Sequence, residues 1–189
     1  MKYLLSVMLS ITTLFGFGAC DACKKIPISV PVDFSKKGTV YETDFQAPWN
    51  IWGSLIQFDI GVYTPDARFA TNEEEKVIRY IWNGHPKDGT PYFKVKITLI
   101  PLGWASDDIK VILNSSDWVN RKEKYYTKGQ KIEEIVSLPL YGGGTLKVIM
   151  MADLQRLRNY HVKVEVLEDI ELPKGVHTSF DINRASSKH

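Results

Sequence analysis

The sequence predicts a mainly β fold, an antiparallel β-sandwich of the immunoglobulin-like or Greek-key kind with about nine strands and one short helix at 73–82. Two observations predict this fold class. Apolar and polar residues alternate with a period of two along several segments, which is the pattern of strands with one face in a core. An amphipathic helical pattern occurs once rather than between successive strands, which favours stacked antiparallel sheets over a parallel sheet covered by helices.

Five segments carry the alternation most clearly, and each is expected to bury one face and expose the other. They are 28–34, 56–62, 95–99, 162–166 and 176–182. Weaker strands are predicted near 39–45, 109–113, 132–140 and 145–151. The polar positions of the strong segments, which include Asp59, His177, Ser179 and Asp181, are expected to face water.

The helix at 73–82 has its own start and stop signals. Asn72 can cap it, and Glu75 falls where a capping box places its acid. An apolar stripe ends at Ile81, and Gly84 follows the last turn. We expect this helix to close one end of the sandwich.

Two connections are predicted less sharply. The glycine run 142–144 separates two strand-like segments and indicates a hairpin turn, and it lacks the Lys-Ser/Thr of a phosphate-binding loop. Segment 117–126 is either a second short helix or an irregular loop.

The first 19 residues have the form of an export signal. Lys2 is followed by 17 uncharged, mostly apolar residues that end in small side chains. A permanent transmembrane helix is the alternative, but the small residues before Cys20 favour cleavage. We therefore expect a signal peptide at 1–19 and a protein exported to the periplasm.

The junction Phe-Gly-Ala-Cys at 17–20 resembles the lipobox of bacterial lipoproteins. The resemblance implies cleavage before Cys20, a lipid on its sulfur, and a lipid-anchored tether at 20–26. Asp21 then implies the inner membrane in enteric-type bacteria, with the outer membrane as the alternative. Ordinary cleavage near Ala19 or Ala22 would instead release a soluble periplasmic protein. Cys23 is expected to be a stray thiol rather than half of a redox or zinc motif.

The remaining chain, 27–184, is expected to form a single sandwich domain with a disordered tail at 185–189. Tyr160 begins the penultimate strand and resembles the tyrosine corner of Greek-key sandwiches, which gives it a structural role. Together with Tyr160, residues of the segment PISVPVDFSKKG resemble a family of Gram-negative lipoproteins known only as a domain of unknown function; they are Pro27, Val30, Pro31, Phe34, Lys37 and Gly38. The resemblance implies a lipoprotein and a sandwich, and it supplies no catalytic residue.

The composition and motifs exclude several function classes. A net charge of +2 gives no reason to expect nucleic-acid binding. The chain has neither the nucleophile motifs of hydrolases nor the histidine spacing of zinc sites, so we assign no catalytic residue, no metal site and no cofactor. His161 and His177 would meet only if their strands paired.

Aromatic residues make up 12% of the chain, and several tryptophans fall in predicted loops. Trp49, Trp104 and Trp118 are the candidate binding residues, because exposed loop aromatics mark binding surfaces. Trp52 and Trp82 are expected to fill the core.

These observations favour a non-enzymatic, membrane-anchored periplasmic module that binds a protein partner, with immunity to a periplasmic toxin as one version. One alternative is a sandwich that binds glycans or the cell wall through its loop tryptophans. Another is a hydrolase whose residues converge only in three dimensions.

Overall fold

The computed structural model describes residues 23–51, 55–64, 72–84, 89–103, 108–113, 122–142 and 144–185. These residues form two β-sheets and one short helix, which confirms the predicted mainly β sandwich. The five-stranded sheet has the order β1 (Lys24–Lys25), β3 (Val40–Gln46), β10 (Asn159–Val166), β5 (Tyr92–Leu102) and β8 (Ile132–Pro139). The six-stranded sheet has the order β2 (Ile28–Pro31), β11 (His177–Arg184), β4 (Ile56–Tyr63), β9 (Leu146–Ala152), β6 (Ile109–Leu113) and β7 (Lys122–Tyr126). β1 runs parallel to β3, and the other paired strands are antiparallel.

The core lies between the two sheets and is built from the inner faces that the alternation predicts. In β10 the inner face is Val162, Val164 and Val166, all buried. An aromatic cluster crosses from one sheet to the other: the ring of Phe45 lies 5.7 Å from that of Tyr160 and 5.9 Å from that of Phe58. These contacts join β3 and β10 to β4 across the sandwich.

Tyr160 has the geometry of a tyrosine corner. Its ring is buried in the core, and its hydroxyl oxygen accepts a hydrogen bond of 2.9 Å from the backbone N–H of Gln155. The loop between them turns at Leu157, which has a φ of 58°. The bond fixes this loop to the start of β10, which agrees with a structural role for Tyr160.

The helix α1 (Asn72–Asn83) matches the predicted 73–82 and closes one end of the sandwich. Ile81 is buried in the core, whereas Arg79 lies on the outer face and pairs with Glu75 at 2.6 Å. Gly84 ends the helix by donating its N–H to the carbonyl of Tyr80. Ile81, with Val77 packed beside the core, therefore holds α1 to this end of the sandwich.

The glycine run 142–144 does not form the predicted hairpin, because β8 and β9 belong to different sheets. The connection crosses the end of the sandwich beneath α1. The N–H groups of Gly142 and Gly144 donate to the carbonyls of Ile81 and Trp82, at 2.9 and 3.2 Å. The glycines thereby satisfy helix-end carbonyls that have no partner within the helix.

Segment 117–126 was predicted as a helix or a loop, but its last five residues form the edge strand β7. The sequence shows no alternation there because the strand is exposed on both faces. Lys124 and Tyr126 both donate hydrogen bonds to Glu134, and the bond from Lys124 is 2.5 Å long. Glu134 lies on the inward face of β8, the edge strand of the opposite sheet. A charged group that joins two sheet edges also protects both from pairing with other chains.

The predicted tether, 20–26, is shorter than expected because Lys24 and Lys25 pair with Phe45 and Gln46 as β1. Cys23, just before this strand, is disulfide-bonded, which differs from the stray thiol expected beside a lipid-bearing Cys20. Among the described residues, α1 is too short and too polar to span a bilayer.

Candidate functional site

A cavity of about 280 Å³ lies where the end of α1 meets the six-stranded sheet. Its walls are mainly apolar and come from β4, α1, β9 and the residue before β11: Val62, Ile81, Leu146 and Val176. The polar lining includes Ser29, Ser179 and Asp181 from the outer face of β2 and β11. We call this space the α1 cavity.

Exposed apolar side chains surround the α1 cavity. Trp82 is 50% exposed, Leu146 44% and Tyr63 39%, and all three line the cavity. Tyr80, one residue before Ile81, is also exposed and packs on Tyr141 with 4.7 Å between ring centroids. Large apolar side chains clustered around a concavity, rather than scattered singly, are typical of binding surfaces.

The floor of the α1 cavity is formed by Ser179 and Asp181, with Asp59 next to Asp181. The burial of these side chains shows that the prediction of a solvated polar face on β4 and β11 is wrong. Asp59 is fully buried, and Asp181 and Ser179 are only 6% and 7% exposed. Asp59 and Asp181 are direct partners in the β4–β11 pairing, so the two carboxylates lie side by side on one face. The alternation identified the outward face, but both strands lie inside the six-stranded sheet and the polar side chains on that face are buried.

Each carboxylate has a neutral hydrogen-bond partner. The amide of Gln57 donates to both carboxylate oxygens of Asp59 at 2.9 Å. The hydroxyl of Ser179 donates to Asp181 at 2.8 Å. The pKa of Asp59 is raised to about 7, mainly by burial. The hydrogen bond from Gln57 opposes this shift, and the nearby charge of Asp181 adds to it.

Gly61 allows the floor to form. It pairs with Ser179 across β4 and β11, and a Cβ atom at Gly61 would overlap both the Ser179 hydroxyl and the Asp181 carboxylate. These two side chains therefore lie over the glycine backbone. A glycine inside a strand is the sequence signal for such a close approach, and it could have pointed to this site.

Lys147 lies behind the cavity and is 4% exposed. Its ammonium donates to the carbonyl of Gly142 and to that of Ile81, the latter at 3.5 Å. Burial lowers its pKa to about 8. The ammonium therefore binds one carbonyl in the β8–β9 connection and one at the end of α1 rather than the carboxylates of the floor.

Of the predicted binding tryptophans, the structure describes Trp49, which does not line the α1 cavity. Trp49 is 67% exposed, whereas Trp52, Trp104 and Trp118 lie outside the described residues, as does Cys20. Trp82 is not a core residue, which corrects the prediction made for it. Its neighbour Ile81 occupies the core instead.

Trp49 lies at the opposite end of the sandwich from the α1 cavity. It lies three residues after the end of β3, and the adjacent Asn50 bonds to Arg184, which pairs with the first residue of β4. The cavity residue Tyr63 is the last residue of β4, seven steps or about 23 Å further along. Since β1 pairs with the end of β3, the N-terminal segment enters the fold at the Trp49 end.

The histidines do not assemble a catalytic site within the described residues. His161 and His177 lie in different sheets and cannot meet. His161 contacts Asp44 at 2.7 Å, and His177 stacks on Tyr63. Neither imidazole bonds a hydroxyl in the part of the chain that the structure describes, and no group of three or more potential metal ligands occurs there.

Comparisons with known proteins found a similar fold and no information on chemistry. No family model matches the chain, and no curated protein matches it. The fold is similar to the crystal structure of GEBA250068378 from Sulfurospirillum deleyianum, with a TM-score of 0.53 and 16% identity over 85% of this chain and 98% of that one. At this identity the likeness supports the two-sheet architecture alone.

Proposed function

We propose that this protein is a non-enzymatic periplasmic module, anchored to a membrane at its N-terminus, that binds a partner protein through the α1 cavity and its rim. The observation that carries the proposal is the cluster of Tyr63, Trp82 and Leu146, exposed together around an apolar concavity. Aromatic anchors beside a pocket are the usual centre of a protein–protein interface. Immunity to a periplasmic toxin is one version of this function.

The position at which the N-terminal segment enters the fold also favours the α1 cavity as the binding surface. Only three residues separate Cys20 from β1, so a lipid on Cys20 would hold the Trp49 end of the sandwich close to the bilayer. The α1 cavity would then lie at the end directed away from the membrane. A partner in the periplasm could reach this end without displacing lipid.

A lipid on the sulfur of Cys20 and a disulfide between the two cysteines of the chain exclude each other. The chain contains two cysteines, and the sulfur of Cys20 cannot hold both a lipid thioether and a disulfide. Cys20→Ser is expected to abolish labelling by a fatty-acid analogue and to move the protein out of the membrane fraction. Cys23→Ser is the matched control and should leave labelling unchanged. Wild-type protein that carries a disulfide and no lipid in cells would contradict the anchor.

Photo-crosslinking tests the binding surface directly. A photoreactive amino acid at position 82, in cells that naturally make the protein, is expected to give a discrete adduct with a second protein. Position 135 is the control, since Ile135 is 60% exposed on the edge strand β8, away from the cavity. Equal adducts from both positions, or adducts only with glycan, would overturn the proposal.

A further inference from the structure

We propose that the α1 cavity receives a lysine or arginine side chain of the partner, with its aliphatic stem between the apolar walls and its cationic group at Asp181. This inference rests on the proposed function, because it names the group that the partner inserts. It is carried by the placement of a single carboxylate in a cavity whose other described lining residues are uncharged.

Among the described residues that line the cavity, Asp181 is the one that carries a charge. In the part of the chain that the structure describes, neither Asp181 nor Asp59 forms an ion pair with a lysine, arginine or histidine. The buried lysine behind the cavity, Lys147, donates to backbone carbonyls instead. Within the described residues, this buried pair of acids therefore has no basic side chain as its countercharge.

A buried carboxylate without a countercharge is costly, and its ion pair with a cation is strong once water is excluded. Burial, with a smaller contribution from the charge of Asp181, raises the pKa of Asp59 to about 7. A cation beside Asp181 would relieve the repulsion between the two acids. The floor therefore favours a cationic guest and opposes an anionic one.

The walls select the form of that cation. Lysine and arginine bury their methylene stems along apolar surface while the charged head reaches a polar group. Val62, Leu146 and Val176 provide such a surface, and the aromatic faces of Tyr63 and Trp82 add attraction for a cation at the rim. A metal ion fits less well, because the described residues hold no group of three potential metal ligands.

The size of the cavity fits one side chain. Its volume of about 280 Å³ lies just below the range of about 300–1,000 Å³ for pockets that enclose drug-sized ligands. A single extended side chain on the surface of a protein can enter and present its head group to the floor.

The test uses two probes that differ only in the cationic group. The probes are Nα-acetyl-lysine N-methylamide, which keeps a free side-chain ammonium, and Nα-acetyl-norleucine N-methylamide. They share the backbone and the four-carbon stem, and norleucine lacks the ammonium. Each is titrated into the purified protein while NMR follows the amides of Gly61 and Thr145 and the indole of Trp82. We expect saturable shifts at these residues and binding of the lysine probe at least tenfold tighter than that of the norleucine probe.

Asp181→Asn keeps the size of the side chain and is expected to weaken the lysine probe at least tenfold without affecting the norleucine probe. Asp153→Asn, at an exposed acid after β9, is the control and should change neither. Equal binding of the two probes, no binding of either, or unchanged lysine binding in Asp181→Asn would overturn the inference. If Asp181→Asn does not fold, the two probes on the wild-type protein decide the question. The crosslink from position 82 does not depend on these probes, so failure of the proposed function is seen separately.

Discussion

Replacing Asp59 with Asn is expected to remove most of the loss of stability that the raised pKa of Asp59 predicts as pH rises from about 4 to 7. The pKa of Asp59 is raised from its ordinary value of 3.8 to about 7 in the folded protein. Between these values the unfolded chain releases the proton while the folded protein keeps it, so the free energy of unfolding falls as pH rises. The full difference corresponds to up to about 4 kcal/mol above pH 7.

Urea denaturation at pH 4 and pH 8 measures this effect. Asp59→Asn should match the wild type at pH 4 and exceed its stability at pH 8, because the neutral amide is not penalised by burial. Asp153→Asn is the control and should keep the wild-type pH dependence. If the stability of Asp59→Asn depended on pH as strongly as that of the wild type, Asp59 would not be the source of the pH dependence.

Ile81→Ala is expected to destabilise the protein by about 2–5 kcal/mol. Ile81 is 2% exposed, fills the end of the sandwich and forms one wall of the α1 cavity. Its truncation leaves an empty space beside the helix-end carbonyls that Gly142 and Lys147 bind. The urea midpoint should therefore fall while the slope of the transition stays the same.

The neighbouring residue provides the matched control. Trp82 is 50% exposed, so Trp82→Ala should cost less than about 1 kcal/mol although it removes a larger side chain. Ile81→Val should lie between them, at about 0.5–1.5 kcal/mol. Equal midpoints for Ile81→Ala and Trp82→Ala would mean that α1 is not held to the core by Ile81.

Local sequence patterns were enough to predict the strands and the helix. The valines of β10 alternate with polar residues, and this spacing alone identifies the face that enters the core. The helix α1 was predictable because Asn72 and Gly84 bracket one apolar stripe. The edge strand β7 was missed because an exposed edge requires no alternation; its partner β6 defines it.

The candidate site was not predictable in the same way, because it depends on pairings between distant segments. Asp59 and Asp181 become neighbours only through the β4–β11 register. The assignment of β10 and β11 to different sheets, which separates His161 from His177, is likewise set by long-range contacts. Gly61 was the one local signal, and its meaning required knowledge of the strand beside it.

The most direct test of the account is the yield of photo-crosslinks from the two ends of the sandwich. Trp82 and Trp49 are both at least half exposed, but they lie at opposite ends of the fold. We predict a protein adduct from position 82 that exceeds any adduct from position 49, because the partner contacts the α1 end. A partner captured from position 49 and not from position 82 would contradict the account and place the binding surface at the N-terminal end.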